Sequence, residues 1–245
     1  MLPVIVSTAN AGYGDLARNL VLNAQRVLKN HRFVFYCMDQ QLFDMLKPLG
    51  TDRIEIRAFG AACSKDFREY NASGFQEITH AKLRVASAAL AEFGFVHFVD
   101  ADVVFLKEPT ADYHAAYNDY DIVFQRDMAP CEGGACATWT CVGDMVLRNT
   151  EATRKHLERL QQYALRTGNN DQECQRQMFE EAGVTDIRLY PHAKFTEFPI
   201  EDFALGWVAN NAPHLIPNLM VFHANCVMGK QAKIELLKKV GGWFH

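Results

Sequence analysis

Two carboxylates one residue apart, Asp100 and Asp102, stand at the end of an apolar run, Phe95-Val96-His97-Phe98-Val99, and a second run, Val103-Val104-Phe105-Leu106, follows them. Both runs are made of strand-formers and are too short for a typical helix. A carboxylate pair delivered by a buried strand needs a cation. In open α/β sheets ligands collect outside the carboxyl ends of the strands, so a metal and a phosphorylated substrate are expected there. A solvated turn is the competing reading. An Asp-x-Asp arises by chance about once in a chain of this composition, and a second, Asp119-Tyr120-Asp121, precedes the strand Ile122-Val123-Phe124, where it reads as a turn.

Other residues with chemical potential are scattered along the chain. His223 rides on the apolar run Leu219 to Asn225, and Gly229, Lys230 and Lys233 follow within ten residues. A lone His on such a run is either a ligand or a satisfied core residue. Gly143 and Asp144 interrupt the strand Val142 to Leu147, and a polar residue in a strand interior invites a functional reading. Asp171, with Gln172 after it, is an N-terminal charge on a helix or an acid aimed into a site. Lys82 sits among apolar residues, as a snorkelling side chain or one reaching a phosphate.

The elements that must position these groups alternate between strand and helix. Val4-Ile5-Val6 reads as a first buried strand, followed by a small polar loop from Ser7 to Gly14. Asp15 then caps a helix with Leu16, Leu20, Ala24 and Val27 at helical spacing. Gly12-Tyr13-Gly14 lacks the third glycine of a dinucleotide fingerprint. Thr8, Asn10 and Tyr13 either line a nucleotide pocket or form a simple turn. Phe33 to Cys37 is a second strand, and Asp39 after it either contacts a base or ribose or caps the helix Gln40 to Leu46. Ile54-Glu55-Ile56 is a third strand, and the polar stretch from Cys63 to Ser73 fits a surface excursion or a lid.

Helices are expected over Gln76 to Glu92, Glu151 to about Arg166, and from the Gly168-Asn169-Asn170 turn through Glu181. Met128 to Trp139 reads as a loop, and Ile187 to Tyr190 as a strand. An irregular, proline-punctuated stretch and a final amphipathic helix to about Val240 complete the chain.

With 245 residues, 49% hydrophobic and 22% charged, the chain can bury a substantial core, and one α/β domain over 1–245 is the simplest organisation. A net charge of -4 without a long basic run argues against nucleic acid as the main partner. Seven cysteines, at 37, 63, 131, 136, 141, 174 and 226, form no Cys-x-x-Cys pair and leave an odd thiol. Reduced, cytoplasmic thiols follow if the chain starts natively at Met1; an anchor removed by truncation is the alternative. No stretch is apolar enough to span a membrane.

Lys82 ahead of Gly94, the block Asp100 to Leu106 with Pro109, Asp171-Gln172, and His223-Ala224-Asn225 with Gly229, Lys233 and Trp243 together resemble the nucleotide-diphospho-sugar transferase family. These are glycosyltransferases of the GT-A fold, and the resemblance runs from Val4 to Trp243. It implies a single Rossmann-like α/β domain with a mixed, mostly parallel central sheet flanked by helices. A nucleotide-binding half would span about 1–110 and an acceptor-binding half about 111–245.

The implied activity moves a sugar from a nucleotide-diphosphate sugar, most commonly a UDP-sugar, to a hydroxyl of a glycan, glycoprotein or other acceptor. The resemblance favours retention. Asp102 and His223, with Asp100 bound directly, through water or to the ribose, would hold the cation. An imidazole among the oxygens tilts the preference to Mn²⁺ over Mg²⁺. Lys233, with Lys230 or Lys82, would neutralise the phosphates, and Thr8, Asn10, Tyr13 and Asp39 would line the nucleoside pocket. Ala101, Asn225 and Gly229 belong to the same donor-binding motifs. Asp127, Gly143, Asp144, Asp171 and Gln172 are the candidates near the donor sugar and acceptor, with Asp171 or Asp144 the base in an inverting transfer. A nucleotidyltransferase that makes sugar nucleotides and a non-catalytic binding protein are the rival readings.

Overall fold

The structure, a computed structural model, describes residues 1–61, 63–127 and 140–245. The expected loop from Met128 to Trp139, with Cys131 and Cys136, lies outside them. Ten strands occur among the described residues: β1 (Val4–Ala9), β2 (Phe33–Cys37), β3 (Ile54–Ala58), β4 (Phe95–Val99), β5 (Val103–Phe105), β6 (Ile122–Arg126), β7 (Thr140–Arg148), β8 (Phe195–Glu197), β9 (Phe203–Leu205) and β10 (Val221–His223). Seven form a central sheet in the order β3-β2-β1-β4-β7-β6-β8, and β5-β10-β9 form a small second sheet. Around β1 all pairings are parallel, β7 runs antiparallel to both β4 and β6, and β8 is parallel to β6. The sheet is therefore mixed and mostly parallel.

Alternation along the strands builds two apolar layers, because successive side chains point to opposite faces. Ile5, Phe33, Phe35 and Val99 pack on one face with α1 (Gly14–Val27), α2 (Gln40–Leu46) and the small sheet. Val6, Val34, Phe98 and Phe124 pack on the other with α3 (Phe75–Phe93), α5 (Glu151–Thr167) and α6 (Asp171–Glu181). Phe33, Phe35, Phe98 and Phe124 are wholly buried, each stabilising the fold by about 2 kcal/mol relative to exposure. Two short helices, α4 (Ala111–Ala115) and α7 (Gly206–Asn211), and a final α8 (Lys230–Lys239) complete the chain.

The expected strand over Ile187 to Tyr190 is instead a 3-10 turn, Ile187–Leu189, started by the Asp186 side chain accepting from the Arg188 N–H. Ile187 is buried and Leu189 is 73% exposed. β8 and β9, three residues each, arise inside the stretch read as irregular.

Candidate functional site

The turn after β4 carries Asp100, Ala101 and Asp102, and the chain leaves it directly into β5. β5 pairs antiparallel with β10 so that Val103 lies opposite His223. This register brings the histidine of a distant segment beside the acids. One ligand atom from each of Asp100, Asp102 and His223 lies within 4.8 Å of the others. His223 Nε2 is 3.2 Å from Asp102 Oδ1.

The imidazole is oriented from behind. Its Nδ1 is 2.9 Å from Gln125 Oε1, and the same amide donates through Nε2 to the Ala204 carbonyl at 2.9 Å. Gln125 Oε1 is thereby an acceptor and Nδ1 carries a proton, which leaves Nε2 as the nitrogen on the acids' side. That is the arrangement by which proteins fix a metal-binding histidine. Gln125, wholly buried at the end of β6, has no sequence signal beyond being a polar residue in an apolar strand.

β7 supplies the floor. Its pairing with β6 jumps from Phe124–Met145 to Gln125–Cys141, so Val142, Gly143 and Asp144 bulge from that ladder. The Gly143 carbonyl accepts from the Asp100 N–H at 2.7 Å. A Cβ on Gly143 would lie 2.7 Å from His223 Cε1 and 2.9 Å from Asp100 Cγ. Only a missing side chain leaves room for this donor set, and two carboxylates with an oriented imidazole suit a divalent cation.

Two lysines neutralise the acids. Lys233, one turn into α8, places Nζ 2.5 Å from Asp102 Oδ2 and 2.9 Å from the Ala224 carbonyl. Lys82 of α3 reaches inward to Asp100 Oδ1 at 3.1 Å and Asp171 Oδ2 at 2.5 Å. Its side chain is 11% exposed, so it does not snorkel. Burial alone would lower the Lys82 pKa, but the Asp100 and Asp171 carboxylates outweigh it and raise it. Burial acts upward on Asp102, yet Lys233 and His223 hold its carboxyl well below the usual range. For Asp100 burial prevails over Lys82 and His223, and its pKa is raised.

These groups open onto a cavity of about 470 Å³, lined also by Thr8, Tyr13, Ala101, Asp127, Cys141, Gln172 and Asn225. Asp171 is the first residue of α6 and also faces the cavity, so its two readings coincide. Gln172 accepts through Oε1 from the Val142 N–H at 3.0 Å and donates through Nε2 to the Thr140 carbonyl. Asp127 accepts from Asn225 Nδ2 at 3.1 Å, and burial raises its pKa.

Other expected residues stand elsewhere. Asp144 lies on the opposite side of β7 from its neighbour Gly143, wholly buried, with Oδ1 2.8 Å from His97 Nε2. Asp39 caps α2 by accepting from Leu42 N at 3.0 Å and holds the Ala11 N–H at 2.7 Å. Asn10 donates to the carbonyls of Ser64 and Asp66. Lys230 pairs with Asp15 at 3.1 Å, and Gly229 donates its N–H to Glu69 at 2.9 Å. None of these five lines the cavity.

The stretch read as excursion or lid lies over the cavity, to which Phe67, Arg68, Glu69 and Tyr70 all contribute. It rests on the loop after β1, where a Cβ on Gly12 would come within 2.6 Å of the Asp66 carbonyl oxygen, and Tyr13 Oη donates to the Arg68 carbonyl at 2.6 Å. Cys226, Val227 and Met228 form part of the wall. Sequence reasoning passed over these because they belong to loops without periodic pattern.

A family model for nucleotide-diphospho-sugar transferases matches residues 29–237. The fold is similar to that of the galactosyltransferase LgtC, solved with donor and acceptor sugar analogues, at 11% identity over 98% of this chain and 96% of that one, TM-score 0.60. It is also similar to the glycosyltransferase GlyE of Streptococcus pneumoniae TIGR4, at 10% identity over 97% of this chain and 60% of that one, TM-score 0.63. Mouse xyloside xylosyltransferase 1 aligns at 12% identity over 91% and 98% of the two chains, TM-score 0.55. No curated protein sequence matches. At these identities the structural likeness shows the fold.

Proposed function

Because the chain belongs to the nucleotide-diphospho-sugar transferase family and has the GT-A fold of glycosyltransferases, we propose that it moves a sugar from a UDP-sugar to an acceptor hydroxyl, with retention and with a divalent cation, Mn²⁺ ahead of Mg²⁺. The observation that carries this reading is the meeting of Asp100, Asp102 and His223 at the wall of a cavity that also holds two lysines. Such a cation supplies Lewis-acid stabilisation of the charge that builds on a departing diphosphate. The residues do the rest. Lys233 and Lys82 neutralise the acids while the site is empty of phosphate and give the same charge to the diphosphate. Thr8 and Tyr13 line the nucleoside end, with Asn10 and Asp39 acting behind them on the loop backbone.

Asp171, in contact with Lys82, stabilises positive charge at the anomeric carbon, and Gln172 fixes the sugar beside it. The acceptor proton passes to the leaving phosphate oxygen. Asp127 stands near the donor sugar and acceptor, held by Asn225 of the donor-binding motif, and the acceptor is a glycan or other hydroxyl compound. This division gives a nucleotide-binding half of about 1–110 and an acceptor-binding half of about 111–245. A cytoplasmic location is part of the proposal, resting on the odd number of thiols; no helix among the described residues is long and apolar enough to cross a membrane. A nucleotidyltransferase would place a glycine-rich basic loop after the first strand, and Ser7 to Gly14 holds no Lys or Arg.

The test is a panel of sugar nucleotides with and without Mn²⁺, read by donor hydrolysis and thermal shift. A metal-dependent response to one UDP-sugar is expected. A thermal shift with a donor that is never hydrolysed or transferred would favour a non-catalytic binding protein, and silence in both readouts towards every donor would overturn the proposal.

A further inference from the structure

We infer that Gln175 and His156 are positioning residues that hold Gln172 in its working orientation through Thr140, an inference that rests on the reading of Gln172 as part of the catalytic site. Neither residue lines the cavity. Gln175 is 1% and His156 3% exposed.

The argument begins with the β7 bulge. Because the ladder to β6 skips Val142 to Asp144, the Val142 N–H is free of a strand partner, and Gln172 Oε1 takes it at 3.0 Å. Gln172 Nε2 donates to the Thr140 carbonyl two residues earlier. Both ends of the amide thus depend on where Thr140 to Val142 lie. Thr140 is the first residue of β7 and has a ladder partner, Arg126, on β6 alone.

Gln175, one turn after Gln172 on α6, supplies the second hold: its Nε2 donates to Thr140 Oγ1. The two amides therefore grip the same residue, one by its backbone and one by its side chain. With Nε2 committed, Gln175 Oε1 must accept, and His156 Nε2 lies 3.2 Å away to donate. His156 is wedged among rings, with centroids at 4.9 Å from Phe195, 6.0 Å from Phe179 and 6.1 Å from Tyr190. Two such polar side chains in an aromatic layer cost desolvation that an apolar pair would avoid. What they add is orientation: they fix which end of each amide faces which partner.

Displacing a reacting group by about 1 Å can cost about a hundredfold in rate. For Gln175→Ala a loss of about tenfold in turnover of the donor identified by the panel is expected, with UDP–Mn²⁺ affinity within about twofold of wild type. The double variant with Gln172→Ala should be no slower than Gln172→Ala alone, and Gln175→Glu, which keeps the acceptor for His156 and offers the Thr140 hydroxyl an acceptor in place of the Nε2 donor, should recover part of the loss. An independent readout is the Gln172 side-chain amide by NMR in the unliganded protein. Its protons should exchange slowly in wild type and lose that protection in Gln175→Ala and His156→Ala. Retained protection, or losses that multiply in the double variant, would overturn the inference. If protection is lost while Gln172→Ala leaves turnover intact, the positioning stands and the catalytic reading of Gln172 fails.

Discussion

Adding a single methyl group at Gly143 should damage metal binding as well as folding. The backbone there is not in the left-handed region, so alanine is conformationally allowed. The conflict is with neighbours: the new carbon would lie 2.7 Å from His223 Cε1 and 2.9 Å from Asp100 Cγ. Carbon atoms pack at about 3.5–4.0 Å, so each ligand must retreat by about 1 Å. His223 cannot do so freely, since Gln125 holds it from behind, and Asp100 is tied to Lys82. Disturbing the orientation of ligands costs about 10–100-fold in metal affinity, which is about 1.4–2.7 kcal/mol. Overpacking of the strand adds about 1–3 kcal/mol to the folding cost. The assay is titration of Gly143→Ala with Mn²⁺ in the presence of UDP, by calorimetry or by the free-Mn²⁺ resonance signal, beside a melting curve without metal. Wild-type affinity within about twofold would refute the reasoning, because the ligands would then have had room that the geometry denies them.

Two further outcomes follow from the same structure. Asp171→Asn removes the charge opposed to Lys82 while keeping the helix start, so transfer should fall by at least tenfold with UDP binding little changed; an equal loss of both would remove Asp171 from the chemistry. Stability should fall in mild acid. His114 and His156 are buried, and burial lowers their pKa values from 6.5 to about 2 and about 4. Below pH 6.5 the unfolded chain takes up protons that these residues refuse when folded. Each therefore removes about 1.4 kcal/mol per pH unit as pH falls from 6.5, His156 until about pH 4 and His114 further. His223 has the opposite sign, its contribution being complete below pH 6.5 and lost at higher pH. Denaturant midpoints measured between pH 7 and 5 should decline accordingly, and a flat profile would contradict the burial assigned to both rings.

The legible parts of the fold were those where one face or both are apolar. β1, β2 and β4 announce themselves as Val-, Ile- and Phe-rich runs, and α1, α3 and α5 by period, with Gly94 closing α3 and the Thr150 side chain capping α5; Asp15, expected to cap α1, lies inside its first turn and pairs with Lys230 instead. β8 and β9 were illegible because three residues carry no period. Ile187 to Tyr190 mimics a strand through its alternation of apolar and charged side chains, yet the Asp186 side chain closes it into a turn. Within the site, Asp100, Asp102, Asp171 and Lys82 converge because strand ends and helix starts meet at one edge of the sheet. Adjacent Gly143 and Asp144 could not both face the site, since neighbours on a strand point oppositely, and only the structure tells which does. Asn10 and Asp39 have the polarity of ligand contacts, but loop N–H and C=O groups need partners too, and there they claimed the side chains. Lys230 and Lys233 are alike in sequence; the entry of α8 sends one to Asp15 and the other to Asp102.

The pairing of Val103 with His223 has a consequence for how the molecule assembles. Lys233 and Asp102 are 131 residues apart in the chain yet in direct contact, and every ligand from β10 reaches the acids only after β5 has found it. A long loop must close before any of that electrostatic attraction is realised. On the proposed cation site, affinity for the ion reports this closure, and a partly folded chain that displays Asp100 and Asp102 without β10 presents only two acids.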